Sequence, residues 1–309
     1  MKKLEGLVIR AQASYYSVHT DEGVILCRLA GRLKYYNRTE DGRFLYADPV
    51  AVGDKVVIST KDLENGTIED ILPAKTVFSR RLPGKAEIEQ IVVTNADQMV
   101  AVVSAKMPDM NFRFLDRFII LAEAGELASI VCVNKMDLAS DDESQQLYRD
   151  LEAYKKLNYR VIYTSIITQE GIDELRQALK DHFTVIVGAS GVGKSSLLNA
   201  IQPGLGLRVA EVSEKTRKGK HTTTYVELFF LDFGGCVADT PGIREVGLWG
   251  VPTEYLELYF PEMAPYLGKC KFNDCIHVYE PGCAIKKAVE EGEISPIRYE
   301  SYMRLRIGD

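Results

Sequence analysis

The stretch Phe183-Thr-Val-Ile-Val-Gly-Ala-Ser-Gly-Val-Gly-Lys-Ser-Ser-Leu-Leu-Asn199 constrains this chain more than any other. A β-branched apolar run stops at Gly188, Gly193-Lys194-Ser195 follows, and an apolar helical run comes next. That is G-x-x-x-x-G-K-S between a strand and a helix, the context in which the pattern has a mechanism. Gly188, Gly191 and Gly193 let the backbone turn through positive φ and come close to a ligand. The loop of Gly188, Ala189, Ser190, Gly191, Val192 and Gly193, with the helix start at Lys194, Ser195 and Ser196, then aims its N–H groups at an anionic phosphate. Lys194 is placed to reach β- and γ-phosphates and Ser195 to ligate Mg²⁺.

A second motif, Asn134-Lys-Met-Asp137, closes the apolar run Ala128-Ser-Ile-Val-Cys-Val. Guanine differs from adenine in presenting two adjacent donors, N1–H and the 2-amino group, and the Asp137 carboxylate can accept from both. Asn134 can bond the other base edge, and the Lys135 stem can lie over the purine face. Four residues alone are a weak pattern; beside a phosphate loop they point to guanine.

Around these motifs strand and helix alternate: strands near Gln98–Ser104, Ala128–Val133 and Val161–Thr164, and helices near Phe114–Ala124, Glu143–Leu157 and Gly171–Leu179. Such alternation predicts a doubly wound α/β sheet with ligands at the carboxyl ends of its strands. Residues 1–72 instead read as short strands and turns, fitting a small OB-fold β-barrel. Tyr15, Tyr16, Tyr35 and Tyr36 lie there among Arg32, Lys34 and Arg38, where they either stack on unpaired bases or cap the barrel core. Residues 73–98 read as a connector. The expected units are 1–72, the barrel; 73–246, the nucleotide domain; and 247–309, a mainly helical Cys/His domain.

The basic run from Glu211 to Thr224 has little to pack and reads as mobile. Asp239-Thr-Pro-Gly242 follows another strand: Asp239 is expected to hold Mg²⁺ through water, and the Gly242 N–H to meet a γ-phosphate. One threonine of 222–224, assigned to Thr223, is expected to complete the magnesium shell. Contacts that need the γ-phosphate are the physical basis of a switch.

Guanine-nucleotide switches carry these parts in the order phosphate loop, threonine, D-x-x-G, N-K-x-D, S-A loop. Here N-K-M-D and Thr164-Ser165 come first, and the phosphate loop, His221-Thr-Thr-Thr and Asp239-Thr-Pro-Gly come after. The sequence resembles a circularly permuted GTPase. With its N-terminal barrel and C-terminal Cys/His cluster it resembles, over essentially its whole length, the ribosome small-subunit biogenesis GTPase family. That resemblance implies GTP and GDP as ligands, Thr164 and Ser165 near the base, and a partner in the 30S subunit and its 16S rRNA. Ile166 departs from the family's usual Ala, but the contact expected there is a backbone N–H. Many GTPases orient the attacking water with a Gln after D-x-x-G. Ile243 stands at that position and cannot do so, which leaves His221, with Lys194 and Thr223, as the expected catalytic set; an exposed loop histidine is the plain alternative.

Cys270-x₄-Cys275-x-His277-x₅-Cys283 matches a structural Zn²⁺ site, one ion held by four ligands with no open position. Lys269, Lys271, Lys286 and Lys287 flank it, facing either phosphate or only solvent. Composition excludes other classes: 46% hydrophobic and 27% charged residues do not indicate disorder, and no apolar run reaches membrane-spanning length. The expected setting is a cytoplasmic monomer off the membrane, where cysteines stay reduced. A net charge of −6 confines any nucleic-acid contact to local basic patches. The leading expectation is a GTP-hydrolysing switch in 30S maturation, stimulated by the subunit. The competing ones are a GTP-gated RNA-binding module with incidental hydrolysis, and a GTP-dependent metal or protein chaperone.

Overall fold

The computed structural model describes residues 1–12, 14–35, 48–82, 85–205, 207, 226–240 and 247–308. Strands β1 (Lys2–Gln12), β2 (Tyr15–Thr20), β3 (Gly23–Leu29), β4 (Lys55–Thr60) and β5 (Asn65–Ile71) form a barrel in the order β1-β2-β3-β5-β4, closed by β1 against β4. Alternation along β2 turns Tyr16, Val18 and Thr20 inward, so the core fills with Val8, Tyr16, Val18, Ile25, Val56, Ile58 and Ile68. Of the tyrosines, Tyr16 is core, its hydroxyl pushed up to about 12 by burial, while Tyr15 is exposed with the Arg28 guanidinium 4.6 Å from its ring centre; Tyr36 and Arg38 lie outside the described residues.

Residues 73–98 are more than a connector. They form a hairpin of β6 (Val77–Leu82) and β7 (Lys85–Thr94) with Phe78 opposite Val93, both buried against the first helix of the next domain. Local periodicity does not show the pairing, because Ile91-Val92-Val93 run together in β7 and Ser79-Arg80-Arg81 break the apolar pattern of β6.

The second domain holds β8 (Gln98–Ser104), α1 (Phe112–Ala124), β9 (Ala128–Asn134), α2 (Asp141–Lys156), β10 (Arg160–Tyr163), α3 (Ile172–Leu179), β11 (Phe183–Val187), α4 (Lys194–Ile201), β12 (Glu227–Phe230) and β13 (Cys236–Asp239). Its strands lie in the order β10-β9-β8-β11-β13-β12, with only the β12–β13 pair antiparallel. Every β8 residue is buried, as a strand covered on both faces requires. Met99, Ala101 and Val103 pack toward α1 and α2, and Val100 and Val102 toward α3 and α4. The chain thus leaves neighbouring strands β8 and β11 toward opposite faces, which opens a crevice between their carboxyl ends.

Both flanking domains are joined to this sheet. β1 pairs with β12, Arg10 opposite Glu227. Below that seam Thr94 donates to the buried Asp54 carboxylate at 2.7 Å, and Gly53 (φ 93°) lies where a Cβ would come within 2.0 Å of the Thr94 carbonyl. The C-terminal domain, with α5 (Ala284–Glu290) and α6 (Pro296–Ile307), docks on α1. Arg298 of α6 is fully buried, ion-paired with buried Asp116 of α1 and forked onto Glu262 at 2.7 and 3.2 Å. Tyr154 of α2 donates to Asp116 at 2.8 Å and lies under the guanidinium.

Removing one partner of a buried ion pair strands the others, at about 3–5 kcal/mol. Arg298→Ala is therefore expected to lower the urea midpoint sensed by Trp249, which lines a cleft with Leu121 and Ala124 of α1. Arg298→Lys is expected to recover only part of the loss, because an ammonium cannot fork. An unchanged midpoint in Arg298→Ala would show that the network does not hold the seam.

Candidate functional site

The crevice at the ends of β8, β9 and β11 gathers the predicted motifs. β11 ends at Val187, and the loop to α4 runs through Gly191 (φ 85°) and Gly193 (φ 97°). Gly193 is the N-cap of α4 and supplies no side-chain cap, which leaves the first helical N–H groups for a ligand. A side chain there is also excluded from within: its Cβ would meet Asn134 Nδ2 at 2.4 Å. Asn134, buried at the end of β9, donates to the Val192 carbonyl at 2.9 Å. The residue expected to read a base and the loop expected to hold phosphates are thus in direct contact.

Lys135 sits in the left-handed region (φ 62°), and its ammonium donates to the carbonyls of Gly191, at 2.6 Å, and Met107. Burial lowers its pKa, and the nearby Asp137 charge opposes that shift. Asp137 is exposed in a single 3₁₀ turn, and Ser165 donates to its Oδ1 at 2.6 Å. Ser165 Oγ in turn accepts from Ile167 N and Thr168 N, both at 3.2 Å, so the loop after β10 orients the carboxylate. Thr164 donates to Asn134 Oδ1 at 3.2 Å. Thr164 and Ser165 are fully buried, and their hydroxyls bond the side chains of Asn134 and Asp137.

Lys194, buried at the start of α4, donates to Gly188 O at 2.8 Å and Ala189 O at 3.2 Å. Burial lowers its pKa; Asp239, at the end of β13, counters that. Burial likewise raises the Asp239 pKa against the pull of Lys194. Asp239 Oδ1 is buried without a hydrogen-bond partner among the described residues. With the Ser195 hydroxyl at the helix start, this orphaned oxygen fits the oxygen donor set that Mg²⁺ prefers. Ser190 is exposed and Ala189, Ser195 and Ser196 are half-buried along the same loop and first turn. His221, Thr223, Gly242 and Ile243 lie outside the described residues.

In the C-terminal domain the side chains of Cys270, Cys275, His277 and Cys283 converge, their donor atoms all within 4.8 Å of one another. His277 Nδ1 stands 3.5, 3.4 and 3.5 Å from the sulfurs of Cys270, Cys275 and Cys283, and Cys270 Sγ is 3.9 Å from Cys283 Sγ. Tetrahedral bonds of about 2.3 Å to sulfur and about 2.0 Å to nitrogen give sulfur–sulfur separations of about 3.8 Å and sulfur–nitrogen separations of about 3.5 Å, so the cluster can hold a metal ion. A disulfide would need its sulfurs at about 2.05 Å. Supports that the sequence did not reveal surround it. Ala284 N donates to Cys270 Sγ at 3.3 Å, Lys286 N to Cys283 Sγ at 3.5 Å, and the hydroxyls of Tyr299 and Tyr302 to the carbonyls of His277 and Ile276. Of the flanking lysines, Lys287 pairs with Glu291, Lys286 bonds the Glu280 carbonyl and Lys271 lies over Phe272.

The RsgA GTPase family model matches residues 71–249, and the RsgA N-terminal domain model matches residues 5–68. The small ribosomal subunit biogenesis GTPase RsgA of Gemmatimonas aurantiaca is 44% identical over 304 residues, covering 97% of this chain and 96% of the relative. Its namesake from Thermotoga maritima is 39% identical over 302 residues, covering 97% and 95%. Among solved structures, YjeQ from Thermotoga maritima superposes with a TM-score of 0.77 at 36% identity over 100% of both chains. YloQ, described as a circularly permuted GTPase, gives 0.69 at 32%, covering 99% of this chain and 94% of that one.

The cluster predicts about one tightly held metal ion per chain in elemental analysis. Cys275→Ser is expected to lose it and to make 268–295 sensitive to protease, since metal binding here is folding energy. A metal-free wild-type chain with a protease-resistant C-terminus would contradict this.

Proposed function

The chain belongs to the RsgA GTPase family, and on that premise we propose that it is a GTP-hydrolysing switch that binds the small ribosomal subunit through 16S rRNA and acts in its maturation, with turnover stimulated by the subunit. The observation that carries the nucleotide part is the contact of Asn134 with Val192, which sets base reader and phosphate loop in one crevice. In this reading Asp137 accepts from the guanine N1–H and 2-amino group, Asn134 faces the other base edge and the Lys135 stem covers the ring. The Ile166 N–H meets the guanine carbonyl. N–H groups from Gly188 to Ser196 cradle the phosphates and Lys194 spans the β- and γ-phosphates. Ser195, Thr223 and, through water, Asp239 hold Mg²⁺. When bound, Mg²⁺ offsets charge building on the β- and γ-oxygens. Gly242 contacts the γ-phosphate, and His221 orients the attacking water in place of the missing Gln. The Cys/His cluster holds one structural Zn²⁺, and the units 1–72, 73–246 and 247–309 work together as a cytoplasmic monomer.

The ribosomal part rests on the names of the relatives. The permutation supports a route for coupling: in sequence D-x-x-G leads directly into the C-terminal unit, at whose first residue Arg81 N donates to Gly247 O at 3.1 Å. Coupling between two binding sites is reciprocal, so a partner on that domain would alter the nucleotide site.

GTP turnover alone, with 30S and with 50S subunits tests the proposal. Strong stimulation by 30S only is expected, with His221→Ala keeping GTP affinity and losing stimulated turnover by about a hundredfold. GTP-dependent 30S binding without faster turnover would instead favour a gated RNA-binding module, and no response to either subunit a chaperone. Full stimulated turnover in His221→Ala would remove that residue from the mechanism.

A further inference from the structure

The crevice contains a part that no motif announces. β8 ends at Ser104, directly beside Asn134 in the sheet. Ser104 is 2% exposed, and its hydroxyl donates to the Pro108 carbonyl at 2.6 Å, closing the turn from Ala105 to Pro108. The first residue of that turn is also pinned, because Ala105 N donates to Asn134 O at 2.8 Å. Inside the turn, Met107 presents the carbonyl that accepts from the Lys135 ammonium. On the other side the same ammonium donates to Gly191 O at 2.6 Å. Pro108 Cδ lies within 3.9 Å of where a Gly191 Cβ would stand, so turn and phosphate loop are in contact across the lysine.

A lysine side chain is flexible, with four carbons to place before its charge is fixed. Two acceptors on separate loops, one leaving β8 and one leaving β11, hold this one at its tip and so fix the line of its stem. We infer that Ser104 is a positioning residue for the nucleotide: by closing the Ala105–Pro108 turn it holds the Met107 carbonyl in place, and through it the Lys135 stem on which the purine lies. This rests on the guanine-nucleotide reading given above and assigns a residue outside the phosphate loop and the base motifs. Loss of the hydroxyl frees the turn, returns rotamer freedom to Lys135 and weakens GTP and GDP alike, since both carry the same base.

The test is a double-mutant cycle on the full chain, with Kd and dissociation rate measured for fluorescent GTP and GDP analogues. Ser104→Ala, which removes a single oxygen, is expected to raise both Kd values by about 3–10-fold, mainly through faster dissociation. Ser104→Thr, which keeps the hydroxyl, is expected to restore them. In a Lys135→Ala background Ser104→Ala is expected to add nothing, because the residue acts through that lysine. The same loss of affinity in both backgrounds would overturn the inference, and so would a lowered melting temperature with unchanged Kd. A wild-type chain that binds no guanine nucleotide would overturn the nucleotide reading itself, an outcome distinct from wild-type binding with an unaffected Ser104→Ala.

Discussion

The hydrogen bond from Asn134 to the Val192 carbonyl is the contact on which the rest of the site depends. It joins the end of β9 to the loop after β11 across the intervening strand β8. Everything local serves that junction. Gly193 has no side chain because Asn134 occupies its space, Thr164 sets the Asn134 oxygen, and Lys135 grips the loop one residue further back at Gly191. One such bond contributes only about 0.5–1.5 kcal/mol net. Its larger effect is geometric, since it fixes the distance between the end of β9 and the loop after β11 in a crevice that the sheet topology already opens.

Permutation moves the chain ends without moving the site. β8 lies beside β11 in the sheet, where the strand after D-x-x-G would be expected in an unpermuted GTPase, yet it comes earlier in the chain. The free ends are used to attach domains. The barrel is fused through β1 to the edge strand β12 and latched through Asp54 and Thr94. The C-terminal domain, which follows D-x-x-G in sequence, is fixed on α1 by the Arg298–Asp116 pair. Neither domain hangs on its linker alone. A buried ion pair is weak evidence for stability but a strict geometric condition, because any other docking of α6 would strand a charge.

Much of this was legible in sequence. The strand–loop–helix around Gly188–Ser195, the barrel and the Cys/His spacing each rest on residues close together in the chain, where local periodicity and ligand spacing carry the information. What was not legible depends on contacts distant in sequence. Arg298 and Asp116 lie 182 residues apart and read separately as ordinary helix-surface charges. The β6–β7 hairpin reads as a connector because its apolar residues declare themselves only once paired. β2 has the right alternation, but Val18 is its one aliphatic residue, and the inward Tyr16 and Thr20 read equally well as solvent-facing positions. Ser104 carries no signal at all, because its role comes from where β8 ends.

In the proposed reading a guanine site is assembled from parts in permuted order, with Asp137 reading the base. Nucleotide choice by Asp137→Asn tests this most directly, because xanthine offers an acceptor where guanine has its 2-amino donor. Loss of a charge-assisted pair at about 1.5–3 kcal/mol predicts GTP affinity lower by roughly 10–150-fold, with a gain for xanthosine triphosphate. Unchanged GTP affinity in that variant, with no gain for xanthosine triphosphate, would contradict the account.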